Sequence, residues 1–261
     1  MRECWPRPAL TPHLQKQMGN KPVKKKQARY AAEDEEFRNS FFRLKKIDLT
    51  DAQKKFKKII VENEIVFGTG PAGTAKTFIS CLAALELLKE GKVDKIILNK
   101  PMEESGEHLG FLSGPLAEKM APFMQSFLDT FEKWMDSTDL GRLINEKQIE
   151  FKPLAYMRGS TFDNALVILD ECQNLDFRQL MLAITRMGRN TKYVVIGDVS
   201  QYDIDHKKLA LPTFVEMCKG IKGVESFEFE KKDIMRNPIL IEIAERYDVL
   251  KAKGVVTPSK K

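Results

Sequence analysis

Uninterrupted aliphatic runs recur through the middle of the chain, each bounded by glycine or polar positions. Ile65-Val66-Phe67, Lys95-Ile96-Ile97-Leu98, Leu166-Val167-Ile168-Leu169 and the stretch from Tyr193 to Ile196 are of this kind. Continuous rather than alternating apolar character predicts strands buried on both faces. Ile149 to Lys152 and Val224 to Phe229 are shorter candidates. Between these runs the spacing turns helical. Lys76 to Lys89 carries Phe78, Ile79, Leu82, Ala83, Leu85 and Leu87, with Gly91 placed to stop the helix. Further helices are predicted over 116–135, 138–145, 176–187 and Pro238 to Leu250. Residues 33–60 read as partly helical, broken near Asp48, with Thr50 or Asp51 capping a helix through Ile60. Strands alternating with helices predict an α/β fold with a mainly parallel sheet covered by helices on both faces.

The ends differ from the middle. Residues 1–32 are rich in proline, lysine and glutamine and lack apolar periodicity, which predicts a disordered basic arm. Eight cations and one anion give that arm a charge of +7, so the formal net charge of +6 leaves the rest of the chain near −1. The arm suits phosphate contacts on nucleic acid; a solubilising tail is the plainer reading. The expected organisation is therefore an arm over 1–32, one domain over 33–250 and a flexible tail over 251–261. No run approaches the ~18 apolar residues of a membrane span, and residues 1–12 lack the apolar core of a secretory signal. A cytoplasmic protein is expected. Cys4, Cys81, Cys172 and Cys218 form no Cys-x-x-Cys pair and lie far in sequence from His13, His108 and His206, so no zinc site is expected.

Chemistry concentrates where the predicted strands end. Gly70-Pro71-Ala72-Gly73-Thr74-Ala75-Lys76-Thr77 falls between a strand and a helix, the setting of a Walker A loop. Successive backbone N–H groups in such a turn bind phosphate oxygens, and the helix N-terminus adds partial positive charge. Lys76 then reaches the β- and γ-phosphates and the Thr77 hydroxyl ligates Mg²⁺. A nucleoside triphosphate, ATP with Mg²⁺, is the expected ligand. Ala75 stands where a second glycine is usual, and a side chain there is expected to strain the turn by about 1 kcal/mol.

The run from Ala165 to Leu169 ends in Asp170-Glu171, a Walker B arrangement. Asp170 is the expected Mg²⁺ ligand, and Glu171 the group that orients and deprotonates the attacking water. Gly197-Asp198-Val199-Ser200-Gln201 follows the next aliphatic strand. Gln201 would read the γ-phosphate if that strand neighbours the other two. Gln53, upstream of the first strand, reads either as an adenine contact or as a solvated helix residue.

Taken together, these residues resemble the PhoH family of P-loop ATPases, itself similar to the first motor domain of superfamily 1 helicases. The resemblance covers roughly residues 50–245. It rests on Ile65 to Thr77, Asn99-Lys100-Pro101, the stretch from Gly106 to Gly114, that from Pro153 to Gly159, Val167 to Asn174, Thr185-Arg186, Gly197 to Gln201 and Asp233-Ile234-Met235-Arg236. Lys100 stands where arginine is more usual and Cys172 where alanine is common. The resemblance implies a single RecA-like P-loop NTPase domain and a ring-like homo-oligomer, a hexamer. It also implies an arginine supplied across the subunit boundary: Arg236 first, then Arg186 and Arg158. Implied partners are RNA or single-stranded DNA, met by loops such as 102–114. Two functions stay open: an ATPase motor on nucleic acid, and a nucleotide-dependent assembly module with slow turnover. Phosphoryl transfer to a small molecule fits less well, because Asp170 and Glu171 suit water activation. No RNA cleavage is expected.

Overall fold

The computed structural model describes residues 42–101, 116–198, 210–235, 238–253 and 255. Backbone contacts divide the chain into Met1–Arg43 and Leu44–Lys261, and the sheet with its helices belongs to the second unit. The basic arm over 1–32 and the loop over 102–114 lie outside the described residues.

Six strands form one sheet: β1 (Ile65–Thr69), β2 (Lys95–Asn99), β3 (Ile149–Phe151), β4 (Ala165–Leu169), β5 (Lys192–Gly197) and β6 (Val224–Glu228). Their order across the sheet is β3-β2-β4-β5-β1-β6, and every neighbouring pair is parallel. The register sets Ile65 opposite Tyr193 and Leu166 opposite Lys192. A parallel sheet needs cover on both faces. One face is covered by α1 (Asp51–Glu62) and α2 (Lys76–Lys89), the other by α5 (Phe177–Ile184) and α6 (Leu211–Cys218). The remaining helices among the described residues are α3 (Leu116–Trp134), α4 (Ser137–Asn145) and α7 (Pro238–Ala252). The expected α/β architecture, a parallel sheet covered by helices on both faces, is the one observed.

Local sequence explains most boundaries. Thr50 caps α1: its hydroxyl accepts from Gln53 N–H, and Gln53 Oε1 accepts from Thr50 N–H, a reciprocal box that satisfies two end donors. Asp176 and Gln179 repeat the device at α5. The strands of the centre are apolar throughout, and all five residues of β4 are buried. The edge strand β6 is largely exposed, which accounts for its polar sequence Val-Glu-Ser-Phe-Glu.

The break expected near Asp48 is present: residues 42–50 contain no helix, and the extended Thr50 starts α1 at Asp51. Residues 33–41 lie outside the described residues. One correction is needed. Helix α6 is not among the predicted elements. It is eight residues long and no side chain caps it, although Pro212 in its first turn and Leu211, Phe214, Val215 and Cys218 at helical spacing carry a signal.

Phe56 ties the first helix to the sheet. Its ring is fully buried and packs edge-on against Phe229, with centroids 5.1 Å apart, and beside Phe227 at 5.7 Å. It occupies the space that a side chain at Gly68 would need. We predict that Phe56→Ala lowers stability by about 3–5 kcal/mol, measured by denaturant unfolding with unchanged slope.

Candidate functional site

The phosphate loop leaves β1 at Thr69 and enters α2 at Lys76, so the parallel sheet presents it at the carboxyl edge, where ligands of open α/β sheets bind. Gly70 makes the turn possible: φ is +126°, and any side chain would strike the Phe229 carbonyl. Phe229 N–H donates to Thr69 O at 2.9 Å, and Met235 N–H donates to Gly73 O at 2.9 Å. The segment after β6 thus lies along one side of the loop. Within it, buried Thr74 donates to Pro71 O at 3.0 Å. Ala75 is left-handed, with φ +69° and ψ +27°, so the strain expected at this position is present. The Lys76 ammonium donates to Gly70 O at 2.7 Å and Pro71 O at 2.8 Å.

Strand β5 lies between β1 and β4, the neighbourhood that a γ-phosphate role for residues 197–201 requires. Three strand ends therefore converge. From β4, Asp170 follows at 6% exposure. Thr77 Oγ1 donates to Asp170 Oδ2 at 3.0 Å, and Glu171 N–H donates to Asp170 Oδ1 at 3.0 Å. Burial and the Glu171 carboxylate push the Asp170 carboxyl up to about 6, against the opposing pull of Lys100 and the Thr77 bond. Glu171 is itself left-handed, at φ +55°. From β5, Asp198 Oδ2 accepts from Ala72 N–H in the loop at 2.7 Å.

The hydroxyl of Thr77 and the carboxylate of Asp170 form a hard oxygen pair of the kind Mg²⁺ takes alongside water and phosphate oxygens. Together with the loop amides and Lys76, the residues present fit a magnesium-bound triphosphate. Among the described residues, no group of three or more His, Cys, Asp or Glu side chains is arranged to hold a metal. Nor is any helix among them long and apolar enough to cross a membrane.

The other expected site residues fall in different places. Gln53 is buried at 5% exposure, and its carbonyl oxygen is engaged in the α1 cap. Helix α1 leads back into β1, so this first turn lies at the level of the strand's carboxyl end. Arg186 follows α5, and its carbonyl accepts from Phe162 N–H just before β4 begins. That is the amino edge of the sheet, remote from its own chain's loop. Its Nη2 donates to Thr185 Oγ1 at 3.2 Å, while its Nε is buried without a partner. Arg158 is exposed in the connection from β3 to β4. Gln201 and Arg236 lie outside the described residues. Sequence reasoning passed over Gln173 and Asp198 as site residues, although both stand inside the motifs that carry the resemblance.

The PhoH-like protein family matches residues 47–248, most of the chain. The chain belongs to the PhoH-like protein family. It is 42% identical over 200 residues to the PhoH-like protein of Bacillus subtilis (strain 168), covering 76% of this chain and 63% of that one. It is 36% identical over 201 residues to the protein PhoH of Escherichia coli (strain K12), covering 72% of this chain and 54% of that one. The chain thus spans about three-fifths or less of these relatives' lengths. Among solved structures, the UvsW helicase of bacteriophage T4 aligns with TM-score 0.46 and 14% identity over 71% of this chain and 61% of that one. Bacteroides sp. Pif1 in complex with ADP-AlF4 aligns with TM-score 0.36 and 17% identity over 77% and 46%.

The Asp170 geometry gives a pH prediction. A carboxyl raised to about 6 favours the neutral form in the fold, so its contribution to stability is present at low pH and lost as pH rises through about 6. Asp170→Asn removes that loss, and its amide can serve both Thr77 and Glu171. We predict that, without Mg²⁺, Asp170→Asn melts roughly 5 °C above the wild type at pH 7.5. The gap should narrow as pH falls below about 6, followed by thermal melts across pH.

Proposed function

We propose that this protein is a magnesium-dependent ATPase that works as an oligomer on RNA or single-stranded DNA. The observation that carries the reading is the 3.0 Å bond between Thr77 and Asp170, which joins the phosphate loop to the acidic strand end. Membership of the PhoH-like family supports a P-loop nucleotide hydrolase.

Bound Mg²⁺ would supply charge neutralisation on the β- and γ-phosphates, and Thr77 with Asp170 are the residues that hold it. The amides from Gly70 to Thr77 and the Lys76 ammonium bind and orient the phosphates. The Glu171 carboxylate takes a proton from water. Gln201, beyond the end of β5, is assigned to sensing the γ-phosphate. Arg236 is the first candidate for the arginine supplied across the subunit boundary to the developing charge. Arg186, at the far edge of the sheet, fits a contribution to a neighbouring subunit rather than to its own loop, and exposed Arg158 is the third candidate. Gln53 is assigned to adenine through its amide N–H₂, since its oxygen serves the helix cap.

A second reading, a nucleotide-dependent assembly module with slow turnover, is favoured by one observation: Ala75 is held left-handed where glycine would relax.

ATPase rates with and without single-stranded RNA separate the two. The motor reading expects stimulated turnover and loss of roughly 100-fold or more in Glu171→Gln with MgATP binding retained. It also expects at least ~10-fold weaker binding in Lys76→Ala. Tight binding without turnover supports the module, and under that reading Ala75→Gly raises the rate. No calorimetric heat with millimolar MgATP overturns both. Mass photometry with and without ATP tests assembly: a monomer under every condition removes the cross-subunit arginine.

A further inference from the structure

Gln173 is a buried polar side chain beside the acidic pair that the proposed chemistry leaves unused. It lies in the short turn Cys172–Asn174, at 5% exposure. Its Nε2 donates to Glu171 Oε2 at 2.7 Å, and its Oε1 accepts from Asp198 N–H at 3.0 Å. Those partners fix the amide's orientation. A flipped amide would set its oxygen against a carboxylate and its N–H₂ against an N–H.

The arrangement continues into the loop, because Asp198 Oδ2 accepts from Ala72 N–H at 2.7 Å. One series of hydrogen bonds therefore runs Glu171–Gln173–Asp198–Ala72. Gly197 leaves room for it: an added Cβ would lie 2.8 Å from Leu211 Cδ2, 2.9 Å from Gln173 Oε1 and 3.0 Å from Gln173 N. Glu171 cannot hold its own place by backbone preference, since its left-handed conformation is unfavourable for a side-chain-bearing residue.

We propose that Gln173 is a positioning residue that sets the Glu171 carboxylate relative to the phosphate loop. It holds Oε2 and leaves Oε1 for a water proton, and Asp198 makes that position depend on the loop. Gln173 acts through Glu171 and does not touch nucleotide. The inference rests on the hydrolase reading above.

The test is turnover and MgATP affinity, measured separately, in the full chain. Gln173→Met preserves length and removes both bonds; Gly197→Ala displaces the native glutamine. Each is expected to lower kcat about 10- to 100-fold while the Kd for MgATP changes less than about 3-fold. In a Glu171→Gln background, Gln173→Met is expected to change the residual rate less than about 2-fold, because the residue it positions is gone. Wild-type kcat in Gln173→Met overturns the proposal. So does a full additional loss in the double variant, or a fall in affinity matching the fall in kcat. Absence of turnover by the wild type, with and without RNA, overturns the hydrolase reading and this inference together.

Discussion

A buried carboxylate that shares a hydroxyl with the phosphate loop is the constraint around which the rest is arranged. Asp170 sits in a nearly dry position between β4 and α2, and the Thr77 hydroxyl and Glu171 N–H satisfy its two oxygens. A lone charge there would be costly, and burial beside Glu171 does raise the carboxyl to about 6. The fold accepts this because the parallel sheet leaves it no other place. Strands that all run one way deliver their carboxyl ends to one edge. The loop after β1, the acids after β4 and Asp198 after β5 then meet there without any long-range rearrangement.

Left-handed backbone occurs at the same edge, as it does before β3, β4 and β5. Ala75 and Glu171 both carry side chains at positive φ, a conformation that costs roughly 1–2 kcal/mol. Neither is forced by a tight hairpin. Ala75 opens α2, and its carbonyl accepts from Ile79 N–H in the helix's first turn. Glu171 is the pivot between β4 and the short turn that carries Gln173. Tertiary packing maintains both, with α1 locked against the sheet by Phe56 on one face and α5 and α6 filling the other.

Much of this was legible from residue order alone. Aliphatic runs mark the central strands because parallel strands are buried on both sides, and the loop and acidic pair follow from their spacing relative to those runs. What escaped had physical causes. Helix α6 is short and uncapped, so only its weak periodicity announces it. Gln173 stands within a motif yet shows no task there, since its value lies in a partner, Asp198, 25 positions away. Spacing along the chain cannot show that a main-chain N–H after β5 needs an acceptor. Nor could it show that Arg186 stands at the opposite edge of the sheet from the loop.

The bond from Met235 N–H to Gly73 O has a mechanical meaning. Gly73 lies within the loop, and Met235 ends the described segment that follows β6. Any shift of the loop at Gly73 must either break this tether or pull that segment with it. The loop is thus moored by a main-chain bond that no side-chain replacement at Met235 short of proline would remove.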